Sequence, residues 1–280
     1  MEQHQSSPSG VLLREWRTRR RYSQLDLALL ADISARHLSC LETGRARPSR
    51  TMLLRLSTAL DIPLRERNTL LLAAGHAPAY RESGLDDTYM ASVRSAIDTM
   101  LRAHEPFPAV VVDRWWNVVD ANRATGVLMD GIPSHVLEPR PNVFRLTLHP
   151  DGLAPRLANR TEVRELFLER LRRQAVATGD GELRALHEEV LGYPHPTGQD
   201  TDAPPAAVPG PIQVPLRIRS PLGELSMFGT LATFGAPADV TLSELAIELF
   251  YPLDDFTART LRELSAAGEP RGSVSPDREV

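Results

Sequence analysis

The chain of 280 residues has a formal net charge of −4, and 42% of its residues are hydrophobic while 24% are charged. This length allows two domains with separate cores. No apolar run approaches the roughly 18 residues needed for a membrane span. The sequence also lacks the pattern of a signal peptide, in which a basic start is followed by an apolar stretch. The single cysteine, Cys40, excludes an internal disulfide framework and a multi-cysteine zinc site, and the composition predicts a cytoplasmic protein.

Charge is segregated along the chain. Residues 1–76 contain 12 arginines and 7 acidic residues, a balance of +5, whereas residues 77–280 contain 20 arginines and 29 acidic residues, a balance of −9. Phosphate attracts positive charge, so a basic segment is the part of a protein expected to meet nucleic acid. The sequence therefore places any contact with nucleic acid in the first 76 residues.

The chain begins with short helices. Residues 1–9 are polar without periodicity and predict a disordered tail. A first helix is predicted from Val11 to Arg21, and the stretch from Gln24 to Thr43 has the pattern of a helix-turn-helix. The positions of this motif that must be small or apolar are occupied by Leu27, Ala28, Ala31, Ile33, Leu38 and Leu41.

Polar residues mark the ends of the motif's helices. Ser23 and Ser34 precede them and are expected to accept hydrogen bonds from backbone N–H groups of the first turn. Asp32 stands at the tight turn, where a positive φ usually favours glycine but aspartate is tolerated. Arg17 and Glu42 are predicted to form an ion pair, with two independent surface charges as the alternative.

Two further helices complete an all-α domain of five short helices over residues 10–77. Ser49 is a predicted cap for the fourth helix, and the fifth carries Leu70 and stops at Gly75. A connecting segment over residues 78–105 contains a helix predicted from about Thr88 to His104, with apolar residues on one face.

The second half predicts a mixed domain over residues 106–265. Two strands, "PAVVVD" and "WNVVDAN", precede three helical segments around residues 124–129, 160–177 and 181–191. The strands "VPLRIRS" and "GELSMFGTLATFG" follow, and "ELAIELFYP" fits either a fifth strand or a helix. This order predicts an α+β fold, a five-stranded antiparallel sheet with helices on one face. A loop at residues 193–211 and a disordered tail at residues 266–280 are also predicted.

The second helix of the motif is expected to lie in the major groove of DNA. Its outward positions are Ala35, Arg36, His37 and Cys40, of which Arg36 is the best candidate for reading guanine, with a phosphate contact as the alternative. His37 either touches DNA or is simply exposed. Cys40 is either a half-buried helix residue or a thiol sensor. The short polar groups expected to hold phosphate oxygens are those of Ser23, Gln24, Ser34 and Thr43.

Catalytic constellations are not evident in the sequence. His149 and Asp151 in "LHPDG" are interpreted as part of a turn, because no second histidine or acidic cluster recurs at ligand spacing. Glycine-rich phosphate loops and nucleophile elbows are not found. The sequence predicts no enzyme, no cofactor and no metal.

The stretch from about Leu12 to Ala77 resembles the Xre family of bacterial and phage-repressor-like regulators. Its MmyB-like branch is resembled by two segments of this part, "LETGRARPS" and "LDIPLRERNTLLLAAG". The C-terminal ligand-binding domain of that branch is similar to two segments of the second half, "FPAVVVDRWWNVVDAN" and "DVTLSELAIELFYP". The resemblance covers roughly residues 10–265. It implies a PAS-like sensor domain, which in some members holds a fatty-acid-like ligand. It also implies a structural ion pair at Arg17 and Glu42 and a phosphate contact at Gln24.

Apolar residues of the second half are candidates for a ligand pocket, with a filled core as the alternative. They are Val110, Val112, Trp116, Val118, Phe144, Leu146, Phe167, Leu171, Met227 and Phe228. The resulting hypothesis is a regulator that binds double-stranded DNA, as a homodimer, and senses a small apolar ligand. The alternatives are a C-terminal domain that serves dimerisation or protein interaction without a ligand, and an enzyme with a DNA-binding appendage.

Overall fold

The computed structural model describes residues 7–194 and 214–267, so most of the predicted loop at 193–211 and most of both predicted tails lie outside the described residues. The chain divides into two compact units. The helical unit comprises Met1–Met90 and Phe234–Glu244, and the sheet unit comprises Ala91–Thr233 and Leu245–Val280.

The helical unit consists of short helices with polar caps. In chain order they are α1 (Pro8–Arg19), α2 (Gln24–Leu30), α3 (Ala35–Glu42), α4 (Arg50–Ala59) and α5 (Leu64–Ala73), followed by a 3₁₀ turn (Thr88–Met90) and, from the later segment, α12 (Val240–Ser243). Ser7, Ser23, Ser34 and Ser49 each cap the helix that follows through the side-chain oxygen. Because α1 begins at Pro8, the last residues of the expected tail are helical.

The core of the helical unit follows the predicted pattern. Leu27, Ala28, Ala31, Leu38 and Leu41 are buried, and Ile33 is half-buried against them. Leucines from α1, α4 and α5 complete the cluster, so each helix buries one apolar face. The five predicted helices are all present, and they pack as a single all-α core.

Helices α1 and α3 lie close together at Gly10. A Cβ atom at this position would lie 2.6 Å from the Leu41 carbonyl oxygen and 2.7 Å from that of Glu42, closer than real Cβ contacts allow. The obstructing atoms are backbone, which cannot move aside without shifting α3. Glycine is therefore required at residue 10 by the distance between the helices.

The sheet unit contains a five-stranded antiparallel sheet in the order β2-β1-β5-β4-β3. The strands are β1 (Ala109–Val112), β2 (Val118–Ala121), β3 (Leu216–Ser220), β4 (Gly223–Thr233) and β5 (Ala246–Pro252). The segment that fitted either a strand or a helix is thus β5, which lies between β1 and β4 and hydrogen-bonds to both.

Helices pack against this sheet, and all four residues of β1, which alternate between its two faces, are buried. The helices are α6 (Ala91–His104), α7 (Gly126–Met129), α8 (Ser134–Leu137), α9 (Val143–Leu148), α10 (Arg160–Thr178), α11 (Gly181–Leu191) and α13 (Asp255–Ala267), with 3₁₀ turns at Arg123–Thr125 and Ala154–Arg156. Residues of α9, α10 and α11 pack against Val110 and Val112 of β1 in one apolar cluster. A second cluster joins Leu261 of α13 to strands β3 and β4. None of the described helices combines the length and apolarity needed to cross a bilayer.

Helix α13 was not predicted from the sequence, although apolar residues recur along it at helical spacing. Two of the three residues that it buries, Thr257 and Thr260, are polar, and the third is Leu261. The Thr257 hydroxyl oxygen instead accepts a hydrogen bond from the Ser226 backbone N–H at 2.9 Å. A polar contact with β4 therefore replaces part of the usual apolar stripe.

Gly10→Ala is expected to lower the free energy of unfolding of the full chain by about 1–3 kcal/mol, because the added methyl group overpacks the contact between α1 and α3. Chemical unfolding followed by circular dichroism measures the change. Gly84→Ala is the matched control in the same unit, since a Cβ at residue 84 meets nothing within 4 Å. Equal stability of the two variants would contradict the close approach.

Candidate functional sites

Two short helices joined by a tight turn present the candidate DNA interface. Asp32 has φ of 46°, the left-handed conformation predicted for the turn between α2 and α3. Its carboxylate pairs with the exposed guanidinium of Arg55 at 2.7 Å. The Ser34 Oγ accepts a hydrogen bond from the His37 N–H at 3.1 Å and fixes the start of α3.

The proposed DNA-contacting residues fall into two groups by exposure. Arg36 and His37 are exposed on α3, where side chains can reach a base edge. Ala35 is half-buried and packs against the core of the helical unit, so only part of its methyl group is available. Cys40 is half-buried, with a free thiol.

Three hydroxyl groups are expected to contact DNA phosphate, and they differ in whether the hydroxyl hydrogen is still available to donate. The oxygens of Ser23 and Ser34 accept from backbone N–H groups, which leaves each hydroxyl hydrogen available. The Thr43 hydroxyl donates to the Ser39 carbonyl at 2.7 Å, so its hydrogen is already used. Ser23 and Ser34 are therefore the better placed of the three to donate to phosphate oxygens.

A buried carboxylate links the helices of this interface. The Glu42 side chain is 1% exposed and accepts from Arg17 Nε at 2.7 Å and from Arg17 Nη2 at 3.0 Å. Gln24 Nε2 also donates to Glu42, at 2.8 Å, and Arg17 Nη1 donates to the Tyr22 carbonyl at 2.8 Å. The expected ion pair is therefore a bidentate contact, and it orients Gln24 while leaving one amide hydrogen for another acceptor.

An apolar cavity of about 50 Å³ lies in the sheet unit. Its walls come from β1, β2, β3, β5, α7, α9, α10 and the segments between them. The lining residues are Val110, Val118, Thr125, Leu128, Met129, Ile132, Val143, Leu146, Thr147, Leu153, Phe167, Leu216, Glu248 and Phe250.

Four of the ten pocket candidates line this cavity, namely Val110, Val118, Leu146 and Phe167. The other six lie elsewhere, because their side chains complete the core or face away from it. Val112, Trp116, Phe144 and Leu171 interlock in the first cluster, where the Trp116 and Phe144 rings meet edge to face at 5.3 Å. Met227 is buried in the second cluster, and Phe228 stacks on Tyr251 at 5.3 Å.

Among the residues that line the cavity, Glu248 is the acidic one, and the sequence analysis did not name it as a pocket candidate. Its Oε1 accepts from Arg170 Nη1 at 3.1 Å, and its Oε2 has no hydrogen-bond partner among the residues that the structure describes. Burial raises the pKa of this carboxyl, although Arg170 acts in the opposite direction. The available signal was the alternation Ala246, Glu248, Phe250, which puts an acid at an inward position of a strand.

Three potential metal-ligating side chains converge at the surface of the sheet unit. Donor atoms of His135, His149 and Asp151 lie within 4.8 Å of one another. Because His135 is distant in sequence from the other two residues, the sequence does not show this proximity. His135 Nε2 lies 3.1 Å from the Asp151 carboxylate. His149 Nδ1 already accepts from the Asp151 backbone N–H at 3.0 Å, so it would have to give up that bond to bind an ion through this nitrogen.

Arg17→Ala is expected to destabilise the full chain by about 3 kcal/mol, because it leaves the buried Glu42 carboxylate with Gln24 as its remaining donor. Thermal and chemical unfolding measure the loss. Arg14→Ala, an exposed position on the same helix, is the control and should change stability by less than about 0.5 kcal/mol. Similar losses in both variants would show that the bidentate pair contributes little.

Comparisons with known proteins match both units. A helix-turn-helix family model matches residues 13–67, and the model described as "MmyB-like transcription regulator ligand binding domain" matches residues 93–264. No curated protein matches the chain. One solved structure, titled "Structure of an RNA-binding Light-Oxygen-Voltage Receptor", is 14% identical with a TM-score of 0.26 and covers 93% of this chain. This chain spans 61% of that one, less than two thirds of its length.

The match to the ligand-binding domain covers more than half of the chain and contains every residue that lines the cavity. The helix-turn-helix match contains α2, α3 and the buried Glu42 network. The chain therefore belongs to the MmyB-like family, with a helix-turn-helix domain and the ligand-binding domain of that family.

Proposed function

We propose that this protein is a cytoplasmic bacterial transcription regulator that reads DNA with α3, acts as a homodimer, and changes its DNA binding when a small molecule with an apolar chain like that of a fatty acid occupies the cavity. The observation that carries the sensing part is the cavity itself, which has apolar walls and few polar groups. A cavity of this kind favours a ligand over the alternative of a filled domain that serves only dimerisation.

The DNA-reading part of the proposal is supported by exposure and charge. Arg36 and His37 are the exposed side chains near the start of α3, the end that lies closest to base edges in helix-turn-helix complexes. An eight-residue helix contacts only a few base pairs, and two half-sites bound by a dimer are the usual way to reach specificity. Arg36 is assigned to a base and the hydroxyl groups of Ser23 and Ser34 to phosphate.

A route from the cavity to the helical unit is supported by the path of the chain. Residues 234–244 join β4 to β5 but belong to the helical unit. Within that unit, Glu244 accepts from Arg65 of α5 at 2.8 and 2.9 Å. Two residues after Glu244, strand β5 begins, and its Glu248 and Phe250 line the cavity. A shift of β5 on ligand binding is therefore transmitted along the chain to a residue anchored on α5.

Arg36→Ala is expected to weaken binding to the preferred operator by about 10- to 150-fold and to relax the preference at one base pair, as loss of a bidentate guanine contact does. Fluorescence anisotropy with DNA selected from random sequences, at a fixed salt concentration, measures both effects. A uniform loss on all sequences would assign Arg36 to phosphate instead. Arg259→Ala, which removes an exposed positive charge from α13, is the control for charge alone.

Glu244→Gln is expected to keep DNA affinity and ligand affinity while reducing the effect of ligand on DNA binding, because the bidentate contact with Arg65 is lost. DNA affinity is measured with and without saturating 1-hexanol or hexanoic acid. The wild-type protein should respond by about 5- to 150-fold and the variant by much less.

The matched control is Glu224→Gln, which breaks an ion pair with Arg217 that lies within the sheet unit. This control should respond like the wild-type protein. An unaltered response in Glu244→Gln would contradict the route through residues 234–244. The absence of any response in the wild-type protein, to either probe, would contradict sensing itself.

A further inference from the structure

The cavity of the sheet unit contains three side chains with polar groups. Its lining is otherwise aliphatic and aromatic, and the three exceptions are Thr125, Thr147 and Glu248. The Thr125 hydroxyl lies 3.0 Å from both the Ala109 carbonyl and the Asn122 side-chain oxygen, so its hydrogen is already engaged. The groups that remain for a ligand are the Thr147 hydroxyl and the Glu248 carboxyl.

Glu248 is held in a fixed position. Arg170 donates to its Oε1 at 3.1 Å, and the same guanidinium lies 4.0 Å from the centre of the Trp116 ring. Trp116 is fixed in turn by a hydrogen bond from its Nε1 to Gln174 at 2.7 Å. On the neighbouring strand, Gly229 leaves room beside the carboxylate, since a Cβ there would lie 3.4 Å from Oε1.

One oxygen of this buried carboxyl lacks a partner. The Glu248 side chain is 6% exposed, and Oε2 has no hydrogen-bond partner among the described residues. A buried acceptor without a donor is costly, and native proteins keep such groups mainly where a ligand, an ion or a function supplies the missing bond. Arg170 already offsets the charge of the carboxylate, so what is missing beside Oε2 is a hydrogen-bond donor and not a second cation.

Resting on the ligand-sensing function proposed above, we infer that the ligand carries a neutral hydrogen-bond-donating end, such as a hydroxyl group, on a short apolar body, and that this end donates to Glu248. The volume of about 50 Å³ suits a short chain. A carboxylate end is disfavoured, because it would bring a second negative charge next to Glu248 with apolar side chains on the other sides. An ammonium end is disfavoured because Arg170 is already present.

The test compares three probes with the same six-carbon chain, namely 1-hexanol, hexylamine and hexanoate, each titrated into the full-length protein at pH 7 by calorimetry. Binding of 1-hexanol should be at least tenfold tighter than binding of either charged probe, as expected for one hydrogen bond to a charged acceptor. Hexanoate binding as tightly as 1-hexanol would overturn the inference but leave the ligand-sensing function intact. The lack of binding by all three probes would contradict both.

Two variants test whether Glu248 causes the preference for 1-hexanol over the charged probes. Glu248→Gln keeps the shape of the side chain and removes its charge, so it should weaken 1-hexanol binding about tenfold. The ratio of the affinity for 1-hexanol to that for hexanoate should then fall to about twofold. Thr147→Val, which removes the other available hydroxyl, should leave that advantage unchanged. Loss of the preference in Thr147→Val but not in Glu248→Gln would overturn the assignment. The comparison of probes on the wild-type protein does not depend on either variant folding.

Discussion

The geometry of the helical unit depends on the buried carboxylate of Glu42. A carboxylate that is 1% exposed is tolerated only if its oxygens are bonded, and here two N–H groups of Arg17 and one of Gln24 supply those bonds. Glu42 is the last residue of α3, Gln24 is the first of α2, and Arg17 belongs to α1. The same three side chains therefore fix the positions of α1, α2 and α3 relative to one another, and the exposed position of Arg36 on α3 depends on this network.

Glu248 shows a different outcome for a buried acid. One of its oxygens accepts from Arg170 and the other has no partner in the described part of the chain, so burial outweighs the arginine and raises its pKa. The carboxylate of Glu42 accepts three N–H bonds, whereas that of Glu248 accepts one. A fully bonded network is what a structural role requires, and an incompletely bonded one next to a cavity is typical of a binding site.

Local patterns predicted the helical unit well and the cavity poorly, for physical reasons. Helix caps such as Ser23 and Ser34, and the turn at Asp32, depend on residues within a few positions of one another, so the sequence carries their signal directly. The cavity is formed where large side chains from distant elements fail to fill the space between them. Trp116 and Phe144 are pocket candidates by residue type, yet they pack against each other, while Thr147 reaches the cavity through tertiary packing.

In the proposed function, strand β5 connects the cavity to the helical unit along the chain. This strand lies between β1 and β4, hydrogen-bonds to both, and lines the cavity through Glu248 and Phe250. Its N-terminal end continues directly from residues 234–244, whose Glu244 is held by Arg65 and whose Asp239 caps α12, all within the helical unit. A strand that is fixed on both edges moves only together with its neighbours. In the proposed function, a ligand bound beside Glu248 therefore acts on the strand whose entry segment belongs to the helical unit.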